Sequence, residues 1–489
     1  MQSGPSEPCD LSAREARRLI GAKALSPVAL MESCLARIDA VNPALNAIVT
    51  LDRERALAGA REAEAAVATG KPLGALHGLP VAIKDNRAVA GMRCTSGSLI
   101  HAQDVPTADE PGVARLRAAG AIPFAKTNLP EFGAGANTVN RVFGATGNPF
   151  DPSKTSAGSS GGSAVALAVG MAPLATGSDY GGSLRTPAVF CGVSGFRPSF
   201  GTVPAPGSAA VLSPWGVNGP MGRDLADAAL LFDAQVDHDL RDPWSLPDPG
   251  PVDPVDLAAL RVAFSPDLGC CPVDAGIAAL FRARMGRIGG LFARMEEATP
   301  DFGPIHDVFE ITRACAFATN MRELVESRRD ELDRNVIDNV ERGAAYSLYD
   351  VAWAQAEQTK AYRRFLAFFE EQDILIIPGA SVAPFPHAQL FVEEINGEAM
   401  PTYMRWLSLT YAPTLCFATV AAIPCGRDEG GMPFGLQIVG PHRSDRRVLA
   451  IARALEDALA RDPETARPLP DLAALASAPA MPRPAEVPA

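Results

Sequence analysis

Two serine-rich segments hold the residues best suited to chemistry in this sequence, Thr155-Ser-Ala-Gly-Ser159-Ser160-Gly-Gly-Ser163 and Gly177-Ser178-Asp179-Tyr180-Gly181-Gly182-Ser183-Leu-Arg185. A serine hydroxyl attacks a carbonyl only when a base removes its proton. Ser159 and Ser183 stand 24 residues apart across an apolar run of small residues. That length suits a helix over 163–169 and a return loop, which bring both clusters to one end of a sheet. Gly181 and Gly182 lack a Cβ, so backbone N–H groups just before Ser183 can turn toward a substrate oxygen. A nucleophile beside an oxyanion hole is the reading these residue types support. A glycine-rich loop opening a helix can also cradle phosphate, but the lysine and following Ser/Thr of a phosphate-binding loop are missing.

The base is less obvious. The six histidines, at 77, 101, 238, 306, 387 and 442, all lie outside both serine clusters. Partners in a triad converge in space, so a histidine stays open. Lys84 is the other candidate. It closes the apolar run Leu79-Pro-Val-Ala-Ile83, and a strand there carries its amine into the interior, where desolvation lowers the pKa. Most lysines are solvated, and Asp85 offers Lys84 an ordinary ion pair. The weight of Lys84 therefore comes from its combination with the serines.

These groups need a frame. Ser12-x-x-Glu15 and Ser26-Pro27 read as helix starts, the second opening a helix over 28–41, and a third helix covers 52–68. From Leu79 the pattern changes to short apolar runs, 80–84 and 121–125, around a helical stretch at 112–119. This alternation predicts an α/β protein, a sheet with helices on its faces. Long amphipathic helices are expected over 275–295, 308–328 and 347–371, covering the sheet and closing one side of a pocket. Strands follow at 373–378 and 434–439, then a last helix at 446–460. The division expected is a helical segment at 1–70, a catalytic domain at 71–466, and a Pro/Ala-rich tail at 467–489 whose end is mobile.

The bulk numbers bound the function. With 489 residues, 47% hydrophobic and 20% charged, the chain can build a large core. A net charge of −12 repels a phosphate backbone, and no basic cluster overrides it, so nucleic-acid binding is not expected. Nine cysteines without a CxxC pair fit reduced, mostly buried thiols, and the adjacent Cys270 and Cys271 are expected to point apart. No secretory leader and no apolar stretch of membrane-spanning length is apparent. Cytoplasmic residence, with no membrane contact, is the expectation.

Taken together, several motifs make the chain resemble the amidase signature family. They are Gly78-Leu-Pro-Val-Ala-Ile-Lys84-Asp-Asn86, Lys126-Thr-Asn128 with Glu131-Phe132, both serine clusters, Cys191-Gly-Val-Ser-Gly-Phe-Arg-Pro198 and Gly219-Pro-Met-Gly-Arg223. The resemblance is dense over 77–233 and looser beyond, where Pro433-Phe-Gly-Leu-Gln-Ile-Val-Gly440 also fits. It implies a central mixed, twisted sheet covered on both faces by helices. It also implies Ser183 as nucleophile, Ser159 as bridging serine behind a cis Gly158–Ser159 peptide, and Lys84 as base. The oxyanion would rest on the N–H groups of Tyr180, Gly181, Gly182 and Ser183. Hydrolysis of a small carboxylic amide to acid plus ammonia or amine follows, with ester cleavage by the same route and with no metal or organic cofactor required.

Ser160, Ser163, Ser178, Asp179 and Arg185 read as supports of this centre, the last two as an ion pair holding the Gly-Gly-Ser loop. Tyr180 stands where many relatives carry a smaller residue, either as tolerated variation or as a ring narrowing the acyl pocket. Phe132, Phe143 and Trp215, with Tyr403 and Trp406, are candidates for a substrate pocket, although each side chain fits a core equally well. Two other functions share the motifs. One is the glutaminase-like subunit of a tRNA-dependent amidotransferase, for which no glutamine-gripping segment is recognisable around Phe317 to Arg322. The other is a non-catalytic binding protein on the same fold. Dimers are common in the family, so a homodimer is allowed, with no residue pattern marking an interface.

Overall fold

The computed structural model describes residues 7–208, 211–248, 250–252 and 254–484. Eleven strands make one sheet: β1 (Ile48–Leu51), β2 (Pro80–Lys84), β3 (Ile122–Thr127), β4 (Leu174–Asp179), β5 (Ser194–Arg197), β6 (Val217–Gly222), β7 (Arg261–Phe264), β8 (Arg294–Glu297), β9 (Ile374–Pro378), β10 (Thr419–Arg427) and β11 (Pro433–Gly440). Their spatial order is β1-β3-β2-β4-β6-β5-β10-β11-β9-β7-β8. The sheet is mixed. β3, β2 and β4 run parallel, as do β9, β7 and β8, while the remaining neighbours are antiparallel. Helices pack along it, as the α/β reading requires.

The strands that carry the chemistry lie deep in the sheet, apolar at their starts and polar where they end. All five residues of β2 and all six of β3 are buried, so neither shows the alternation of a half-exposed strand. β2 and β4 run side by side, Ala82 opposite Ala175, and both finish at the same edge. Lys84 thus ends beside Ser178 and Asp179. Between β3 and β4 lies α1 (Gly161–Ala168), every residue of which is buried. Its glycines allow close approach: a Cβ at Gly162 would fall 2.4 Å from the Asn128 nitrogen. The small-residue run between the serine clusters is therefore a packing requirement as well as a spacer.

Most of the other expected elements appear, with shifted ends. The expected helix over 275–295 stops at Ile288, and Met295 belongs to β8, paired in parallel with β7. Gly289 and Gly290 end it, each a poorer helix former than alanine by about 1 kcal/mol. Much of the tail is packed, and its end, the part expected to be mobile, lies outside the described residues. A short helix, Leu472–Ser477, buries Leu475, and the Met481 N–H donates to the Pro43 carbonyl at 2.8 Å. Only 485–489 of that tail lies outside the described residues. Cys270 and Cys271 do not point apart, since their sulfurs lie 3.8 Å from each other in a turn. All nine cysteines are unpaired thiols, six of them buried. Among the described residues no helix is long and apolar enough to cross a membrane.

Candidate active site

At the end of β2, Lys84 is completely buried. Its Nζ lies 2.7 Å from Ser159 Oγ and 2.9 Å from both Ser160 Oγ and Ser178 Oγ. The ion pair with Asp85 is not formed. Asp85 instead faces Lys126 at 3.1 Å and accepts from the Thr95 hydroxyl at 2.6 Å. Successive side chains of an extended chain leave on opposite sides, so Lys84 and Asp85 enter different neighbourhoods. With no carboxylate in hydrogen-bond contact, burial pulls the Lys84 amine well below the ordinary lysine range. The Arg87 charge adds to the fall and Asp179 opposes it.

The two serine clusters meet as their spacing predicts. Ser160 N–H donates to the Ser183 carbonyl at 3.2 Å, and the Gly158–Ser159 peptide is cis. Ser163 ties α1 to the sheet, its hydroxyl donating to the Thr176 carbonyl at 2.8 Å and lying 2.7 Å from Thr127 Oγ1. Ser159, Ser178 and Ser183 line a cavity of about 170 Å³, and Lys84 sits one hydrogen bond behind that wall. Among the described residues no histidine lines this cavity.

Asp179 holds the loop that follows β4. Its carboxylate accepts from Gly182 N–H at 2.9 Å, from Leu184 N–H at 3.0 Å, and from the buried Arg185 and Arg197 guanidiniums at 3.0 and 3.1 Å. Burial alone would raise its pKa, but the two guanidiniums hold the carboxyl well below the usual range. The expected ion pair with Arg185 is therefore present and includes Arg197, which the sequence reading passed over. One oxyanion donor changes as a result. Gly182 N–H is already spent on Asp179, whereas the N–H groups of Tyr180, Gly181 and Ser183 carry no protein hydrogen bond among the described residues.

Gly182 has a positive φ of 125°, and a Cβ there would fall 2.3 Å from Thr410 Oγ1. Thr410 cannot step aside easily, because it is buried and donates to the Gly181 and Leu407 carbonyls. Gly182→Ala is expected to cost about 1–3 kcal/mol of stability, read as a lower denaturant midpoint. An unchanged midpoint would mean that the loop is not held against Thr410.

Of the pocket candidates, Phe132 lines the cavity. Phe143 and Trp215 do not. Phe143 is buried beneath the Arg93 guanidinium, and Trp215 stacks on Phe417 at 5.2 Å. Both rings have partners elsewhere, which single-residue reading could not foresee. Tyr403 lines a neighbouring cleft of about 690 Å³, while Trp406 is core. Tyr180 meets Phe309 edge-on and is among the residues that line the small cavity. Arg313, which lines both cavities, carried no local signal because an arginine on an amphipathic helix reads as solvated.

Residues 29–449 match the family model described as Amidase. The chain belongs to the amidase signature family. It is 35% identical over 453 residues to an acylamidase of Rhodococcus erythropolis, covering 91% of this chain and 95% of that protein. Identity is also 35%, over 489 residues, to a Glutamyl-tRNA(Gln) amidotransferase subunit of Thermus thermophilus, with 92% and 97% covered. Among solved structures, a bacterial aryl acylamidase of the amidase signature family superposes with a TM-score of 0.84 at 28% identity, covering 92% of this chain and 96% of that one. The large mixed sheet flanked by helices is the architecture of this amidase signature relative.

Proposed function

We propose that this amidase signature enzyme hydrolyses the C–N bond of a small linear amide through an acyl-enzyme on Ser183. One observation carries the reading: a buried lysine, ringed by three serine hydroxyls and by no carboxylate, sits one hydrogen bond behind a cavity that contains Ser183. A neutral amine has two N–H donors and one lone pair. Ser160 and Ser178 accept the donors, which leaves the lone pair for the Ser159 proton at the shortest of the three contacts, 2.7 Å.

In this mechanism Ser183 Oγ attacks the carbonyl carbon and passes its proton to Ser159, which gives its own to Lys84. The oxyanion rests on the free N–H groups of Tyr180, Gly181 and Ser183, which are preorganised and need not reorient as charge develops. As the C–N bond breaks, Lys84 returns the proton through Ser159 to the departing nitrogen. Water, activated by the same relay, then releases the acid. Residues 71–466 carry the reaction, the described part of the first seventy residues braces it through β1 at the sheet edge, and cytoplasmic residence accords with the unpaired cysteines.

The test is release of ammonia or amine from a panel of small amides by the purified chain; no turnover of any member overturns the reading. Identity to the amidotransferase component supports a second reading, a glutaminase feeding a partner. Turnover of simple amides with glutamine left intact decides against it.

The relay also predicts pH dependence. Lys84 works only without its proton, so kcat/KM should rise with pH along a limb set by Lys84, well below the ~10.4 of a free lysine. A limb at the ordinary lysine position, or none, would remove Lys84 as base. Across the same interval the unfolded chain binds a proton that the folded chain lacks, so stability also rises with pH up to the ordinary lysine value.

A further inference from the structure

Arg313 lies on a long helix, Ile305–Arg328, and is 5% exposed. Its guanidinium is boxed by three rings, with the Tyr180, Phe317 and Tyr403 centroids at 5.2, 4.8 and 5.5 Å. One nitrogen, Nη2, donates to the Tyr403 hydroxyl at 2.5 Å, and that hydroxyl also accepts from Asn339 at 3.2 Å. No carboxylate of the described chain pairs with it.

This is unlike the other buried arginines. Arg37, Arg185, Arg197, Arg223 and Arg284 each reach a carboxylate, a backbone carbonyl or both. Arg313 alone among them has only a phenol oxygen. Its Nε has no acceptor, as is also true of Arg197, Arg223 and Arg284, but the buried Tyr180 hydroxyl beside it is unpaired too. Of the acids around it, Asp179 pairs with Arg185 and Arg197, Glu310 with Arg405 at 2.9 Å and Asp338 with Arg334 at 3.4 Å, while Asp333 and Glu393 line the wider cleft beside it without pairing with the guanidinium. A buried cation is costly unless an anion or several acceptors compensate it, and aromatic faces do so only in part.

Position says what supplies the missing anion. Arg313 lines the cavity that contains Ser159 and Ser183, and it touches Tyr180, whose N–H is one of the free donors beside Ser183. The three rings fix the plane of the guanidinium, a fork matched to a carboxylate. The cavity of about 170 Å³ adjoins the cleft of about 690 Å³ that Arg313 also lines, so the guanidinium stands between the serines and the wider space. We propose that Arg313 receives a carboxylate carried by the substrate, so that the preferred amides bear a free carboxylate close to the scissile carbonyl. The proposal rests on the hydrolase reading for turnover, although the anion site itself does not.

The experiment compares succinamate with its uncharged isostere 4-methylpentanamide on the purified full-length chain. Wild type is expected to favour succinamate in kcat/KM by at least about tenfold, and Arg313→Met to collapse that ratio by about 100-fold, mainly through the KM for succinamate. Arg313→Lys keeps the stem and the charge without the fork, so an intermediate ratio is expected. It also serves if the Met variant does not fold. Equal losses on both amides, or a wild type that prefers the neutral one, overturn the proposal while leaving the hydrolase reading in place. Succinate binding by calorimetry separates the two failures. Binding to wild type and not to Arg313→Met, with no amide turned over, keeps the anion site and removes the hydrolase.

Discussion

Ser183→Ala is expected to lower kcat on a small amide by about 10⁴-fold or more while leaving the protein folded. In the proposed mechanism this hydroxyl forms the bond to the acyl carbon, and the other serines of the cavity, Ser159 and Ser178, are engaged with Lys84. What survives its removal is binding plus the free N–H groups of Tyr180, Gly181 and residue 183, which act on the carbonyl without a nucleophile. Stability should change by less than about 0.5 kcal/mol, because the Ser183 hydroxyl has no hydrogen-bond partner among the described residues for its loss to strand. Lys84→Met fills the same volume without the base and should bring a loss of the same order. Combining the two should cost little more than either alone, since residues of one relay are not additive. Turnover assays and unfolding midpoints on the same preparations check both parts. A folded Ser183→Ala variant with wild-type turnover would sink the acyl-enzyme.

The largest stability effect is expected at Asp179. This carboxylate is the counter-ion of two buried guanidiniums, Arg185 and Arg197, and the acceptor for two loop N–H groups. Asp179→Asn keeps the shape but leaves two buried positive charges uncompensated and offers them a single amide oxygen. Removing one partner of a buried pair typically costs about 3–5 kcal/mol, and turnover should fall too as Gly182 and Ser183 lose their anchor. The sign with pH follows from the depressed pKa of Asp179. Its contribution is complete above the ordinary carboxylate value of about 3.9 and fades as pH falls through the lower folded value. Urea unfolding of the variant at neutral pH is the direct measurement. A loss below about 1 kcal/mol would mean the arginines do not depend on this acid.

Much of the centre was legible because its backbone is locally encoded. The glycines of both serine clusters, the apolar run ending at Lys84 and the small residues of the intervening helix constrain conformation within a few positions of themselves. Long amphipathic helices were legible for the same reason, since their periodicity lies within one window. Seven of the eleven strands were missed: β1, β5, β7 and β8 have only four residues and little pattern of their own, while β4, β6 and β10 carry Gly, Ser or Pro that read as loop, and their hydrogen-bond partners lie elsewhere in the chain. The packing of the tail was not legible because Pro and Ala give no apolar signal by themselves, yet Leu475 and Met481 find cover against the first seventy residues.

By itself the sequence determined which residue types gather, Lys84 with Ser159 and Ser183, and the α/β frame that brings them together. Only the tertiary structure decided the partnerships: Asp85 with Lys126 rather than Lys84, Gly182 N–H with Asp179 rather than a substrate, Phe143 and Trp215 with other side chains, and Arg313 with Tyr180. Backbone conformation and burial depend on near neighbours in the chain. The partner of a buried charge or ring depends on which distant segment packs against it, and that choice is made by the energy of the whole core.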